Sequence, residues 1–209
     1  MTLILPGPAG PLEARLDLPD TASPTRAAVV LAHPLPTMGG TMHTRGVFYS
    51  AKALTGIGCA VLRFNFRGVG ASAGQFDNGV GEVDDYRAAL NDLHDRYPAL
   101  PLWAAGFSFG AWVAMETGAA DPRVSALIGI APPVAGHGFS FPQTVACDKP
   151  KFLIQGDLDT LCLLRDLRAF YARLPEPKDL VVVDGADHLF EGRSMELGEA
   201  VRDLLGDLA

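Results

Sequence analysis

Two hydrophobic rhythms alternate along this chain. Short apolar runs bounded by turn residues give way to longer stretches in which apolar side chains return every three or four positions. The runs at 12–18, 27–32, 59–64, 100–105, 124–130, 151–155 and 180–183 read as strands. Between them, Val47, Phe48, Ala51 and Leu54 share one face of a helix predicted over 44–54. Val83, Tyr86, Leu90, Leu93 and Tyr97 do the same over 78–97. Further helices are predicted at 111–117, 161–174 and 195–208. Strands alternating with helices predict an α/β fold, a mostly parallel sheet with helices on both faces. No repeat, low-complexity tract or linker divides the pattern, and 209 residues suit a single domain spanning 1–209.

Composition narrows the function classes. The chain is 48% hydrophobic with 23 Gly and 16 Pro, which suits a loop-rich α/β enzyme. A formal net charge of −7 and the lack of any basic run weigh against a nucleic-acid or anionic-membrane partner. The opening MTLILPGPAG has neither the charged start nor the long apolar run of a secretory signal. The longest apolar stretch, 126–136, is broken by Pro132 and Pro133, so no membrane span is expected. Cys59, Cys147 and Cys162 are widely spaced and odd in number, which suits a reducing cytoplasm. No pair of histidines has a zinc-site spacing, so no metal is expected, nor any other cofactor.

The chemistry concentrates at 100–118, LPLWAAGFSFGAWVAMETG. An apolar strand runs into Gly106-Phe107-Ser108-Phe109-Gly110, and an apolar helix follows. This is G-x-S-x-G in the setting the motif needs, a sharp strand-to-helix turn that lifts the serine Oγ above the sheet edge. The helix start adds a positive dipole end and free N–H groups, which suit a developing oxyanion. A serine hydroxyl needs a base to take its proton and a third group to orient that base. Both kinds of residue follow, each on a loop beyond a predicted strand. Asp157 and Asp159 come after 151–155, and Asp187 and His188 come after 180–183.

Together GFSFG, GDLDTLC and GADHLF resemble the nucleophile, acid and histidine motifs of the α/β-hydrolase superfamily, over about 28–190. HPLPTMGGTMHTRGVFYSAKAL and AVLRFNFRGVGASAG are most similar to small bacterial serine hydrolases without a lid. The resemblance implies the α/β-hydrolase fold with minimal or no cap. The predicted connection 131–150, about twenty residues without helical periodicity, agrees with that. It implies Ser108 as nucleophile, His188 as base and Asp159 as acid, since Asp159 fits G-x-x-D-x-x-V with Cys162 at the apolar position. It also implies backbone N–H groups of Leu35 and Phe109 as oxyanion donors. Pro34 and Pro36 carry no N–H, so Leu35 is the one donor of that tripeptide. Leu35 stands where the relatives are expected to carry a histidine or another polar residue.

Blander readings stand beside these. Gly70-Ala71-Ser72-Ala73-Gly74 repeats G-x-S-x-G, but no helix follows it directly. The same loop, from Gly68, matches a dinucleotide pattern without its helix or its acidic residue. Arg67 reads as a loop-bracing ion pair and Asp157 as a loop-bracing acceptor. His33 reads as a hydrogen-bonder beneath the oxyanion loop. With Phe107, Phe139 and Phe141 it is also a candidate pocket residue. His137 lies on a loop able to roof the pocket. The expected activity is hydrolysis of carboxylic esters of small substrates through an acyl-enzyme. Peptidase, amidase, thioesterase or acyltransferase chemistry on the same residues, or a non-catalytic binding protein of this fold, are the alternatives.

Overall fold

A computed structural model of the protein describes residues 1–19 and 24–208. The elements run β1 (Thr2–Gly7), β2 (Gly10–Asp17), β3 (Ala27–Ala32), α1 (Arg45–Gly56), β4 (Cys59–Phe64), α2 (Val80–Arg96), β5 (Leu102–Phe107) and α3 (Phe109–Ala120). They continue with β6 (Val124–Ile130), α4 (Pro142–Ala146), β7 (Lys151–Gly156), α5 (Leu164–Arg173), β8 (Lys178–Val183) and α6 (Ser194–Leu205). The strands form one eight-stranded sheet in the order β1-β2-β4-β3-β5-β6-β7-β8. The β1–β2 and β2–β4 pairs are antiparallel, and all others are parallel. This is the α/β-hydrolase arrangement that the motifs implied.

The strand alternation shows why the central strands are apolar throughout. In β3, Ala28, Val30 and Ala32 enter a core with α2, α3 and α5. Ala27, Val29 and Leu31 enter a second core with α1 and α6 on the opposite face. A strand covered on both faces has no side chain to spare for water. The connection 131–150 adds only the single short helix α4, where no helix was predicted, and no cap is inserted among the described residues. No helix of the described residues is long and apolar enough to cross a membrane.

Two further departures are local. The edge strand β1 was not predicted, because Leu5 is its only buried residue and the apolar signal is thin. It is held by a two-residue hairpin, with Gly7 paired to Gly10 and Gly10 at φ +115°. On α1 the buried face is Val47, Ser50, Ala51 and Leu54, and Phe48 is turned out, 47% exposed. Three- and four-residue spacing from Val47 selects Ser50 and Ala51 and passes Phe48 by. Ser50 is accommodated because its hydroxyl donates to the Gly46 carbonyl at 2.8 Å.

Candidate active site

Ser108 stands between β5 and α3 with φ +53° and ψ −120°, a conformation an L-residue adopts only under constraint. The constraint is close backbone packing. A Cβ on Gly106 would lie 2.0 Å from the Gly110 carbonyl oxygen, and one on Gly110 would lie 2.4 Å from the His33 carbonyl oxygen. Both motif glycines are therefore sterically required. The Ser108 N–H donates to Ile130 O at 2.8 Å, tying the turn to the end of β6.

The two loops beyond β7 and β8 meet in the same way. A Cβ on Gly156 would fall 2.3 Å from the Ala186 carbonyl oxygen, which also accepts the Leu158 N–H at 3.0 Å. Asp157 Oδ1 accepts the Gly185 N–H at 2.7 Å and so braces the two loops, as its sequence context suggested. Asp187 Oδ1 accepts the Leu189 and Glu191 N–H groups at 3.1 and 2.9 Å. His188 is thereby presented between Ser108 and Asp159. Its Nε2 lies 2.9 Å from Ser108 Oγ, and its Nδ1 lies 2.7 Å from Asp159 Oδ2. A carboxylate only accepts, so Nδ1 carries the hydrogen and Nε2 is left to accept from the serine hydroxyl. The Phe107 ring packs edge-on against the imidazole, centroids 5.9 Å apart.

Asp159 is 3% exposed. Oδ1 takes the Leu161 and Cys162 N–H groups at 2.8 Å each, and Oδ2 takes a side-chain amide hydrogen from Gln155 at 2.8 Å. Burial would raise this carboxyl, but hydrogen bonds from His188, Cys162 and Leu161 outweigh it and hold the group below the usual carboxylate range. Gln155 is a contact that the apolar strand pattern did not single out. Cys162 has a ligand atom within 4.8 Å of those of Asp159 and His188. Burial, then the Asp159 charge, push its thiol up to about 12.

The loop after β3 completes the site. His33 Nδ1 lies 2.6 Å from the Pro34 carbonyl oxygen, and His33 Nε2 accepts the Phe66 N–H at 3.1 Å. Burial pushes this imidazole down to about 4, against a smaller upward pull from Pro34. Its neutral form, with hydrogen on Nδ1, fits both partners. The Pro34 carbonyl and the Leu35 N–H belong to one planar trans peptide unit and point to opposite sides of it. By gripping the oxygen, His33 holds the Leu35 N–H on the opposite side of that peptide unit, and Leu35 lines the cleft over Ser108. Neither the Leu35 N–H nor that of Phe109, first in α3, has a protein acceptor among the described residues.

The cleft over Ser108 has a volume of about 250 Å³. Leu35, Met38, Pro133, Phe139, Leu161 and Leu189 form apolar walls, and Thr44 and His137 add polar edges. His137 Nε2 lies 2.8 Å from Leu161 O, joining the β6–β7 connection to the acid loop. Among the described residues, no Asp, Glu, Lys or Arg lines this cleft. Of the candidate pocket residues only Phe139 lines it. His33 and Phe107 are wholly buried beneath the loops, and Phe141 packs into the core against Phe170, centroids 5.0 Å apart. Thr44, Met38, Pro133, Leu161 and Leu189 carried no sequence signal of a pocket, since they come from separate segments.

The decoys have other work. Ser72 Oγ accepts the Glu13 N–H at 2.9 Å and donates to Asn65 O at 2.7 Å, and no imidazole pairs with it. Glu13 Oε2 takes the Ala71 N–H at 2.9 Å and lies 2.3 Å from a Cβ placed on Gly70. A carboxylate there occupies and repels where a dinucleotide phosphate would need to sit. The Arg67 guanidinium donates twice to Asp85, at 2.9 and 2.7 Å, and its backbone N–H once, at 3.0 Å, a loop-bracing ion pair.

Known proteins share this architecture. The sequence pattern of the family described as serine aminopeptidase, S33, matches residues 23–147. An uncharacterised protein of Rickettsia prowazekii, RP471, is 38% identical over 206 residues, 95% of this chain and 86% of its own. An alpha-beta serine hydrolase homologue from Coxiella burnetii is 39% identical with TM-score 0.89, over 98% of this chain and 97% of that one. XC6422 from Xanthomonas campestris, described as an a/b serine hydrolase without lid, is 36% identical with TM-score 0.90, over 98% and 93%.

Proposed function

The chain belongs to the lid-less α/β serine hydrolases, within the family described as serine aminopeptidase, S33, and from that premise we propose that it hydrolyses carboxylic esters of small, uncharged substrates through an acyl-enzyme on Ser108. Ser108 Oγ attacks the ester carbonyl while its proton passes to His188 Nε2. Asp159, held ionised, steadies the imidazolium through Nδ1. The negative charge gathering on the carbonyl oxygen is met by the free Leu35 and Phe109 N–H groups, which need no reorganisation. His188 then protonates the departing alkoxide. Water repeats the cycle to release the acid. The carrying observation is the line of hydrogen bonds from Ser108 Oγ through His188 to Asp159 Oδ2, opening on a cleft with no charged wall among the described residues.

That uncharged wall supports ester over aminopeptidase chemistry. A free α-ammonium group leaving water requires a carboxylate to receive it. Asp159, in contact with His188, is saturated by His188, Gln155 and two backbone donors. The experiment compares p-nitrophenyl acetate and butyrate with aminoacyl p-nitroanilides on one preparation, alongside fluorophosphonate labelling. Esters are expected to be turned over and Ser108 labelled. Faster cleavage of a free-amine anilide than of any ester would overturn the reading.

A further inference from the structure

The geometry points to Gln155 as a positioning residue for this reaction: its side-chain amide holds the Asp159 carboxylate in the orientation that meets His188. The inference rests on the Ser108–His188–Asp159 reading above and concerns a residue outside that set. Gln155 lies on β7, one position before its end. Leu153, on the same face, enters the core with α2, α3 and α5, while Ile154 enters the opposite core. Strand alternation thus calls for an apolar side chain at 155, yet a wholly buried amide stands there.

Its two amide hydrogens are both engaged. Nε2 lies 2.8 Å from Asp159 Oδ2 and 2.5 Å from the Cys162 carbonyl oxygen. The amide cannot be turned over, because Oε1 would then face two acceptors. Oε1 itself is buried with no protein hydrogen-bond partner among the described residues. A buried unpartnered oxygen costs stability that a methionine of similar size would not incur. The amide nitrogen is what that cost retains. Asp159 Oδ2 receives both Gln155 and His188, and Oδ1 receives Leu161 and Cys162, so the carboxylate is filled on every side. Without Gln155 the backbone donors alone would hold Oδ1, and the carboxylate would be free to turn Oδ2 off the His188 axis.

The test compares Gln155→Met with the unsubstituted chain in kcat, KM, fluorophosphonate labelling rate and the pH profile of kcat/KM. Expected are a fall in kcat and labelling rate of about tenfold to a hundredfold, with KM within about twofold. The acid limb should move to lower pH, because a carboxylate turned off the His188 axis steadies the imidazolium less. In an Asp159→Asn background the same substitution should add no further loss, since Gln155 acts through the carboxylate. An unmoved acid limb, or an equal loss in both backgrounds, overturns the inference and leaves a loop tether through Cys162. Should Gln155→Met fail to fold, Gln155→Glu is read instead. Protonated, its single O–H can donate to Asp159, though not to the Cys162 carbonyl as well; ionised, it repels Asp159. Its labelling rate should therefore peak at lower pH than that of the unsubstituted chain, and a parallel profile refutes the role. Failure of the underlying reading shows separately, as labelling that survives Ser108→Ala.

Discussion

Acidification should strike the oxyanion loop through His33. Its imidazole ordinarily titrates near 6.5, and burial lowers this to about 4 in the folded chain. A depressed value means that the unfolded chain binds the proton first. The stability His33 lends is therefore complete above about 6.5 and is lost as pH falls through about 4. The full difference is worth about 3 kcal/mol. Between pH 7 and pH 5 the linkage relation gives a loss of about 2 kcal/mol, or about 4–8 °C in Tm for a chain of this size. The physical reason is visible in the contacts: a protonated Nε2 would turn a second hydrogen against the Phe66 N–H it now accepts. Carboxylates titrate over the same range, so the assay is calorimetric melting of the chain and of His33→Phe at both pH values. At pH 7 the variant, which strands the Phe66 N–H and the Pro34 carbonyl, should be less stable by about 1–3 kcal/mol for each. At pH 5 that gap should narrow by about 2 kcal/mol, because the variant has no imidazole to protonate. Parallel melting curves, with the gap unchanged, would refute the argument.

Other outcomes follow from the same geometry. Ser108→Ala should abolish fluorophosphonate labelling and cut turnover by about 10⁴ or more, while Ser72→Ala should leave labelling intact; the reverse would move the nucleophile. Asp159→Asn should lower kcat by about 10² to 10⁴ with the fold retained, whereas Asp157→Asn, which loses the Gly185 contact, should chiefly lower Tm. In an open cleft of about 250 Å³, kcat/KM should rise by up to about fourfold per added methylene and level off by about C6. A steady rise to about C12, or a jump on adding lipid droplets, would show the 131–150 connection acting as a lid.

The sequence alone determined the parts that are local. GFSFG demands its backbone turn wherever it lies between a strand and a helix, because no Cβ fits at Gly106 or Gly110. The helix that follows separates Ser108 from Ser72, and the apolar runs mark the central strands because both faces of the sheet are covered. Asp159 and His188 were legible as loop residues beyond strand ends. That 156–159 and 184–188 touch was not, since the contact of Gly156 with Ala186 joins residues far apart in the chain. Tertiary structure alone decided which side chains face the cleft. Strand parity and loop packing bury Phe107, Phe141 and His33, while Thr44, Pro133 and Leu189 arrive from separate segments to line it. It also decided what Gln155 does, for a polar residue in a buried strand shows only that a partner is required, and Asp159 becomes that partner once the loop folds back over the strand end. Backbone conformation is set by neighbours in sequence, and side-chain company by neighbours in space.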